Sequence, residues 1–160
     1  MTANVASKYF TMGEMRCRDG EPYPILWVDR LIELFSQLDV IRAAWKGPLV
    51  VVSGYRTPTH NTIMKGASQS QHVEGRAVDL RPLKKDLTFS DISKLHRLIN
   101  VLLLEGKLPL VGGLGVYPLH RRSQTEVVPG WVHVDCRPKP LSGRICRWEG
   151  EKFGDEQAIG

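Results

Sequence analysis

Three residues of this chain carry metal-ligating side chains at a spacing that can bring them together. His72 and Asp79 lie seven residues apart in Ser70-Gln71-His72-Val73-Glu74-Gly75-Arg76-Ala77-Val78-Asp79. Gly75 lets the chain turn between them. Ala77 sits two residues before Asp79, where a strand puts both on one face. A histidine in a loop and an aspartate on the following strand can converge on one point. Zinc takes such nitrogen and oxygen ligands, and a catalytic site needs a third. His133 is the third candidate, in Gly130-Trp131-Val132-His133-Val134-Asp135. With period two, Trp131, His133 and Asp135 point to one side, and Val132 and Val134 point into the core. On spacing alone a metal site and a solvated strand face both remain open.

The remaining chemistry-bearing residues are weaker candidates. His96 falls on a predicted helix and reads as filler, whereas His60 and His120 are expected in loops. Ser70 reads as a hydrogen-bonding prop rather than a nucleophile, because no G-x-S-x-G elbow surrounds it. Gly112-Gly113-Leu114-Gly115 is too short and wrongly placed to bind a dinucleotide, and no P-loop is present.

The elements that must position these residues follow from periodicity. Val28, Leu31, Phe35, Leu38, Ile41 and Trp45 recur at spacings of three and four, which predicts a helix over 25–46. Gly47-Pro48 stops it. Leu49 to Ser53 reads as a buried strand, 58–65 as a short helix and 76–80 as a strand. A second long helix is predicted over 89–105, with Ile92, Leu95, Ile99 and Leu102 on one face and Gly106 as its C-cap. Val116-Tyr117 reads as a short strand and Trp131 to Cys136 as the last one. This order predicts an α+β fold: one domain over 1–148, a mainly antiparallel sheet with flanking helices, and a loose tail over 149–160.

Length and composition agree with a single globular domain. The chain has 160 residues, 42% hydrophobic and 24% charged, enough to bury a core without disulfide staples. No apolar run approaches the roughly 20 residues of a membrane span, so no membrane insertion is expected. The formal charge of +5 and pI near 9.3 would favour anionic partners such as cell-wall polymers. The basic residues are scattered, so no nucleic-acid partner is expected. Three cysteines, Cys17, Cys136 and Cys146, make a poor disulfide framework and read as thiols of a reducing compartment. The start of the chain lacks signal-peptide features, which predicts cytoplasmic synthesis.

Several motifs, taken in order, resemble a known family. Ser70 to Asp79 is similar to the S-x-H-x-x-G-x-A-x-D signature of the zinc D-alanyl-D-alanine carboxypeptidase superfamily, the peptidoglycan metallopeptidases that share the hedgehog fold. Ser53-Gly54-Tyr55-Arg56-Thr57-Pro58 looks like its S-G-Y-R-[ST] segment. Gly113 to Pro118 resembles its G-G-x-G-x-Y-P turn, and Trp131 to Asp135 its [FW]-[VI]-H-x-D strand. Tyr9 to Cys17 looks like the F-T-x-x-E-x-x-C opening of short bacterial and phage members. The resemblance implies that His72, Asp79 and His133 bind Zn²⁺ and that Arg56 holds the carbonyl oxygen of the scissile bond.

The general base does not transfer from every branch. Some branches place a carboxylate where this chain has Gly130, and others a histidine where it has Trp131. Asp135 is then the nearest carboxylate, either as catalytic base or as the group that orients a zinc-bound imidazole. Glu126 and His120, both expected in the loop before the strand, are lesser alternatives, and Glu74 points in an unspecified direction.

The resemblance implies a zinc peptidase, of the D-Ala-D-Ala carboxypeptidase or endopeptidase type, that cuts peptidoglycan stem peptides or cross-links. It implies a monomer, made in the cytoplasm without a signal peptide, that reaches the wall after release, as a phage endolysin does. Two alternatives stand beside it: a non-catalytic zinc-binding module and a phage structural protein of the same fold.

Overall fold

The computed structural model describes residues 7–150 together with the two-residue strand Lys152–Phe153. Two long helices carry the core. α1 (Val28–Trp45) buries Leu31, Phe35, Leu38 and Ile41 of the predicted stripe together with Leu34, while Val28 and Trp45 at its ends are half-buried. Its first predicted turn, Ile25–Trp27, is a 3-10 turn instead. Pro24 stands immediately before it, where a missing N–H costs nothing. Lys46 ends α1 in the left-handed region, with its N–H on the Arg42 carbonyl. α3 (Phe89–Leu104) starts at a capping box, in which Thr88 and Asp91 satisfy each other's backbone N–H groups. Between them, α2 (Pro58–Ile63) is capped by the Thr57 hydroxyl.

The sheet has the order β1-β2-β4-β3-β5, with β1 (Leu49–Ser53), β2 (Ala77–Pro82), β3 (Gly113–Arg121), β4 (Val127–Asp135) and β5 (Cys146–Glu149). β6 (Lys152–Phe153) also pairs with β3. The first four strands are antiparallel, while β5 and β6 run parallel to β3. This is the expected α+β domain with a mainly antiparallel sheet.

Three expectations need correction. β3 and β4 are long partners joined by a hairpin, where short strands over 116–117 and 131–136 were expected. The polar residues near their turn, Arg121 to Glu126, masked the strand ends. His120 accordingly lies in β3 and His60 in α2, not in loops. Glu149 closes β5 and 152–153 pair with β3, so the loose tail expected from 149 does not begin there. The rest of that tail lies outside the described residues.

Period two then sorts the sheet into two faces. Val78, Leu80, Leu114, Val116, Val132 and Val134 join the core beneath α1 and α3. The other face presents Asp79, Gly115, Tyr117, Trp131, His133 and Asp135. This second face is not solvated, because Trp131, His133 and Asp135 are all buried. The long segment from 54 to 76, including α2, supplies His72 and Arg56 to this face.

Candidate metal centre

Strand register assembles most of the centre. Ser53 pairs with Asp79, Asp79 with His133, His133 with Gly115, and Gly115 with Trp148. These five residues form one row across the sheet. The next row runs from Ala77 through Asp135 and Gly113 to Cys146. Ala77, Gly113 and Gly115 are small, and their smallness makes room for the imidazole and carboxylates between them. A Cβ on Gly113 would fall 2.3 Å from Asp135 Oδ2, and one on Gly115 2.3 Å from the Trp148 ring.

His72 arrives from the loop. Its backbone N–H donates to Ser70 Oγ at 3.2 Å, the prop role expected of that serine. The chain then reverses at Gly75, whose φ of +67° suits glycine. Tyr23 donates its hydroxyl to the Gly75 carbonyl at 2.7 Å and pins the turn. His72 Nδ1 lies 2.7 Å from the Gly54 carbonyl, which can only accept, so Nδ1 carries the proton.

His72, Asp79 and His133 meet here, one ligand atom from each within 4.8 Å of the others. All three are buried. His72 Nε2 faces Asp79 Oδ2 at 3.3 Å, and His133 Nδ1 faces Asp79 Oδ1 at 3.0 Å. Neither His72 Nε2 nor Asp79 Oδ2 has a hydrogen-bond partner. A buried imidazole lone pair beside a buried carboxylate oxygen is unfavourable unless a cation lies between them. Burial holds His72 below the ordinary histidine value, so a proton does not fill that role. The donor set fits zinc.

Asp135 lies on the other side of His133, with Oδ2 2.7 Å from Nε2. Arg137 donates to both of its oxygens, Nε to Oδ1 at 2.8 Å and Nη2 to Oδ2 at 2.6 Å. Arg56 is buried. Its Nε donates to Ser53 Oγ at 3.2 Å, and its Nη2 stands 3.6 Å from Asp79 Oδ2. Arg56 Nη1 and Nη2 make no hydrogen bond. A cleft lined by Ser70, Gln71, Tyr117, Arg137 and Trp148 opens over His133. Trp148 packs on the His133 ring with centroids 4.9 Å apart and donates its Nε1–H to the Tyr117 hydroxyl.

A family model for peptidase M15 matches residues 8–106. The chain belongs to the peptidase M15 family. As an M15 peptidase it is a metallopeptidase of a zinc-dependent family. The matched stretch holds Arg56, His72 and Asp79, and ends before β3 and β4. No curated protein and no solved structure matches the chain.

The other sequence candidates lie elsewhere. Glu74 is tied to Arg30 at 3.3 Å, and Glu126 is exposed beside Arg122. His120 is buried with its ring edge-on to Trp131, 5.2 Å between centroids. His96 is half-buried on α3. Gly130 cannot accept a side chain as it stands, because a Cβ would fall 1.9 Å from the Tyr117 carbonyl oxygen. Sequence reasoning missed Ser53, Arg137 and Trp148. Ser53 stands inside the Ser53–Pro58 motif with no role assigned to it, and Arg137 lies two residues beyond the Trp131–Asp135 motif, so both were readable as supports. Trp148 sits on an edge strand of only four residues, Cys146–Glu149, largely exposed and too short for its alternation to stand out.

Proposed function

We propose that this M15 peptidase hydrolyses an amide bond in the peptide stem or cross-link of peptidoglycan. The observation that carries the reading is the buried His72–Asp79–His133 group, with unpartnered ligand atoms on His72 and Asp79, beneath an open cleft. His72, Asp79 and His133 would hold the zinc. Zinc supplies, when bound, Lewis-acid polarisation of a carbonyl and a water that is nucleophilic near neutral pH.

The chain's own residues then divide the remaining work. The free Arg56 donors are suited to the carbonyl oxygen of a bound amide as negative charge grows on it. Asp135 fits an orienting role better than that of a base. It fixes His133 with Nε2 protonated and Nδ1 turned toward Asp79, and Arg137 occupies its oxygens. Tyr117, Trp148 and Arg137 offer an aromatic wall and a cation to an extended, anionic stem peptide. Release from the cytoplasm to the wall, in the manner of an endolysin, is the setting we propose.

A non-catalytic zinc module is the second reading. What favours it is the engagement of Asp135 by Arg137 together with a glycine at 130. Digestion of purified peptidoglycan decides between them, with zinc measured per chain and His133→Ala as control. At least one zinc per chain is expected, about one fewer in the control, together with new stem-peptide fragments that the control lacks. Zinc without fragments across several wall types would establish the second reading.

A further inference from the structure

Away from the His72 centre, Cys17, Asp19 and His60 form a second group of ligating side chains. One ligand atom of each lies within 4.8 Å of the others. They come from two segments. Cys17 opens a tight turn, donating its N–H to the Glu21 carbonyl at 2.8 Å and accepting from Gly20 at 3.1 Å. His60 lies in α2. Thr57, the N-cap of α2, joins the two: its N–H reaches Cys17 Sγ at 3.4 Å and its hydroxyl donates to Asp19 Oδ2 at 2.8 Å.

Two observations go beyond proximity. His60 is only 7% exposed, yet its Nε2 is buried without a hydrogen-bond partner. Cys17 is fully buried, and its sulfur accepts the Thr57 N–H. Asp19 is the open member. Its carboxylate accepts the Glu21 N–H at 2.9 Å on Oδ1 and the Thr57 hydroxyl on Oδ2, which hold it beside Cys17. Sulfur, imidazole and carboxylate together suit a borderline-soft divalent ion.

We infer that Cys17, Asp19 and His60 form a second divalent-metal site, of the zinc class. Its place suggests what it does. The Cys17 segment backs the loop that carries Arg56: Tyr55 donates its N–H to the Met15 carbonyl at 2.8 Å. Gly54 lies so close that a Cβ there would fall 2.8 Å from the Met15 backbone. An ion shared by Cys17 and His60 ties that segment to α2, just beyond Arg56. The inference does not depend on which amide the peptidase cuts.

Cobalt titration of the metal-free full chain tests it. The His72 centre contains no sulfur, so a near-ultraviolet sulfur-to-cobalt charge-transfer band reports a thiolate site alone. A second equivalent of cobalt is expected to bring that band. Cys17→Ser should lose both the equivalent and the band, His60→Gln should lose the equivalent, and His133→Ala should keep the band. A single equivalent without a band overturns the inference. So does a band that survives Cys17→Ser, which would assign it to Cys136 or Cys146. If Cys17→Ser does not fold, His60→Gln and Asp19→Asn carry the test, and wild-type uptake in both overturns it.

Discussion

His72 Nε2 and Asp79 Oδ2 face each other at 3.3 Å, both buried and both without a hydrogen bond. The Gly54 carbonyl fixes the His72 proton on the other nitrogen, so two acceptors confront each other. The sheet cannot relieve this by moving Asp79, because Asp79 sits in register between Ser53 and His133. The centre is therefore built for a cation. Removing one side of the confrontation removes the reason for it. Asp79→Asn should fold, lose the zinc of the His72 centre and lose activity, as read by zinc per chain after dialysis relative to wild type. Full zinc in that variant would contradict the assignment.

Arg56 is tethered through Nε to Ser53 Oγ and ion-paired through Nη2 with Asp79, and neither Nη1 nor Nη2 makes a hydrogen bond. Losing one oxyanion donor typically costs on the order of 100- to 1000-fold in rate. Arg56→Ala should keep its zinc and lose about that much in kcat, with a smaller change in KM. Near wild-type turnover would remove Arg56 from the chemistry.

Under the proposed function Asp135 would act on zinc through His133, which it contacts at Nε2. Removing such an outer carboxylate typically costs about 10- to 100-fold in metal affinity. Asp135→Asn should show that loss in competition with a chelator, and zinc added in excess should restore much of its activity. An inactive variant with undiminished zinc affinity would instead make Asp135 the base.

Proton release should follow from the same contacts. In the metal-free protein burial opposes charge on His133, but Asp135 and Asp79, one at each ring nitrogen, raise its pKa to about 9. A raised histidine contributes stability that is complete below about 6.5 and is lost as pH rises through about 9. Burial would raise Asp79 and Asp135, but His72 and His133 lower the first, and Arg137 and His133 the second. Their contribution is present above about 3.9 and is lost as pH falls. His72, held below the ordinary histidine value by burial, resists charging, and its contribution is lost as pH falls below about 6.5, so the metal-free chain should be most stable near pH 6.5. Zinc must displace the His133 proton, whereas His72 is already neutral. Calorimetry at pH 7 in buffers of different ionisation enthalpy should show release of about one proton. A binding enthalpy independent of buffer would contradict this.

The convergence of His72, Asp79 and His133 was legible because their spacing and the family motifs coincide, and the Trp131–Asp135 half of β4 was legible from alternation. Arg137 and Trp148 were not. Arg137 matters only because the strand end brings it back onto Asp135, and Trp148 only because β5 pairs with β3 in parallel. Parallel edge pairing leaves no turn signal in the sequence. The buried second face was also hidden, since alternation of polar and apolar residues looks the same whether a loop covers the polar face or water does.

Gly130 stands where some branches of the family carry a carboxylate, but it is not a site at which one can be restored. The backbone forbids this. A Cβ there would meet the Tyr117 carbonyl oxygen at 1.9 Å, an atom held in the β3–β4 ladder beside Trp131. Tyr117 and Trp131 pack together with Val52, so the ladder has little freedom to open. Overpacking of this kind typically costs about 1–3 kcal/mol. Gly130→Ala should lose about that much stability in urea with metal chelated, and Gly130→Glu more, without a gain in activity. Because His133 lies three residues along β4, zinc affinity should fall as well. A Gly130→Glu variant as stable as wild type, with higher turnover, would show that β3 and β4 can part and that the base can be supplied from this position.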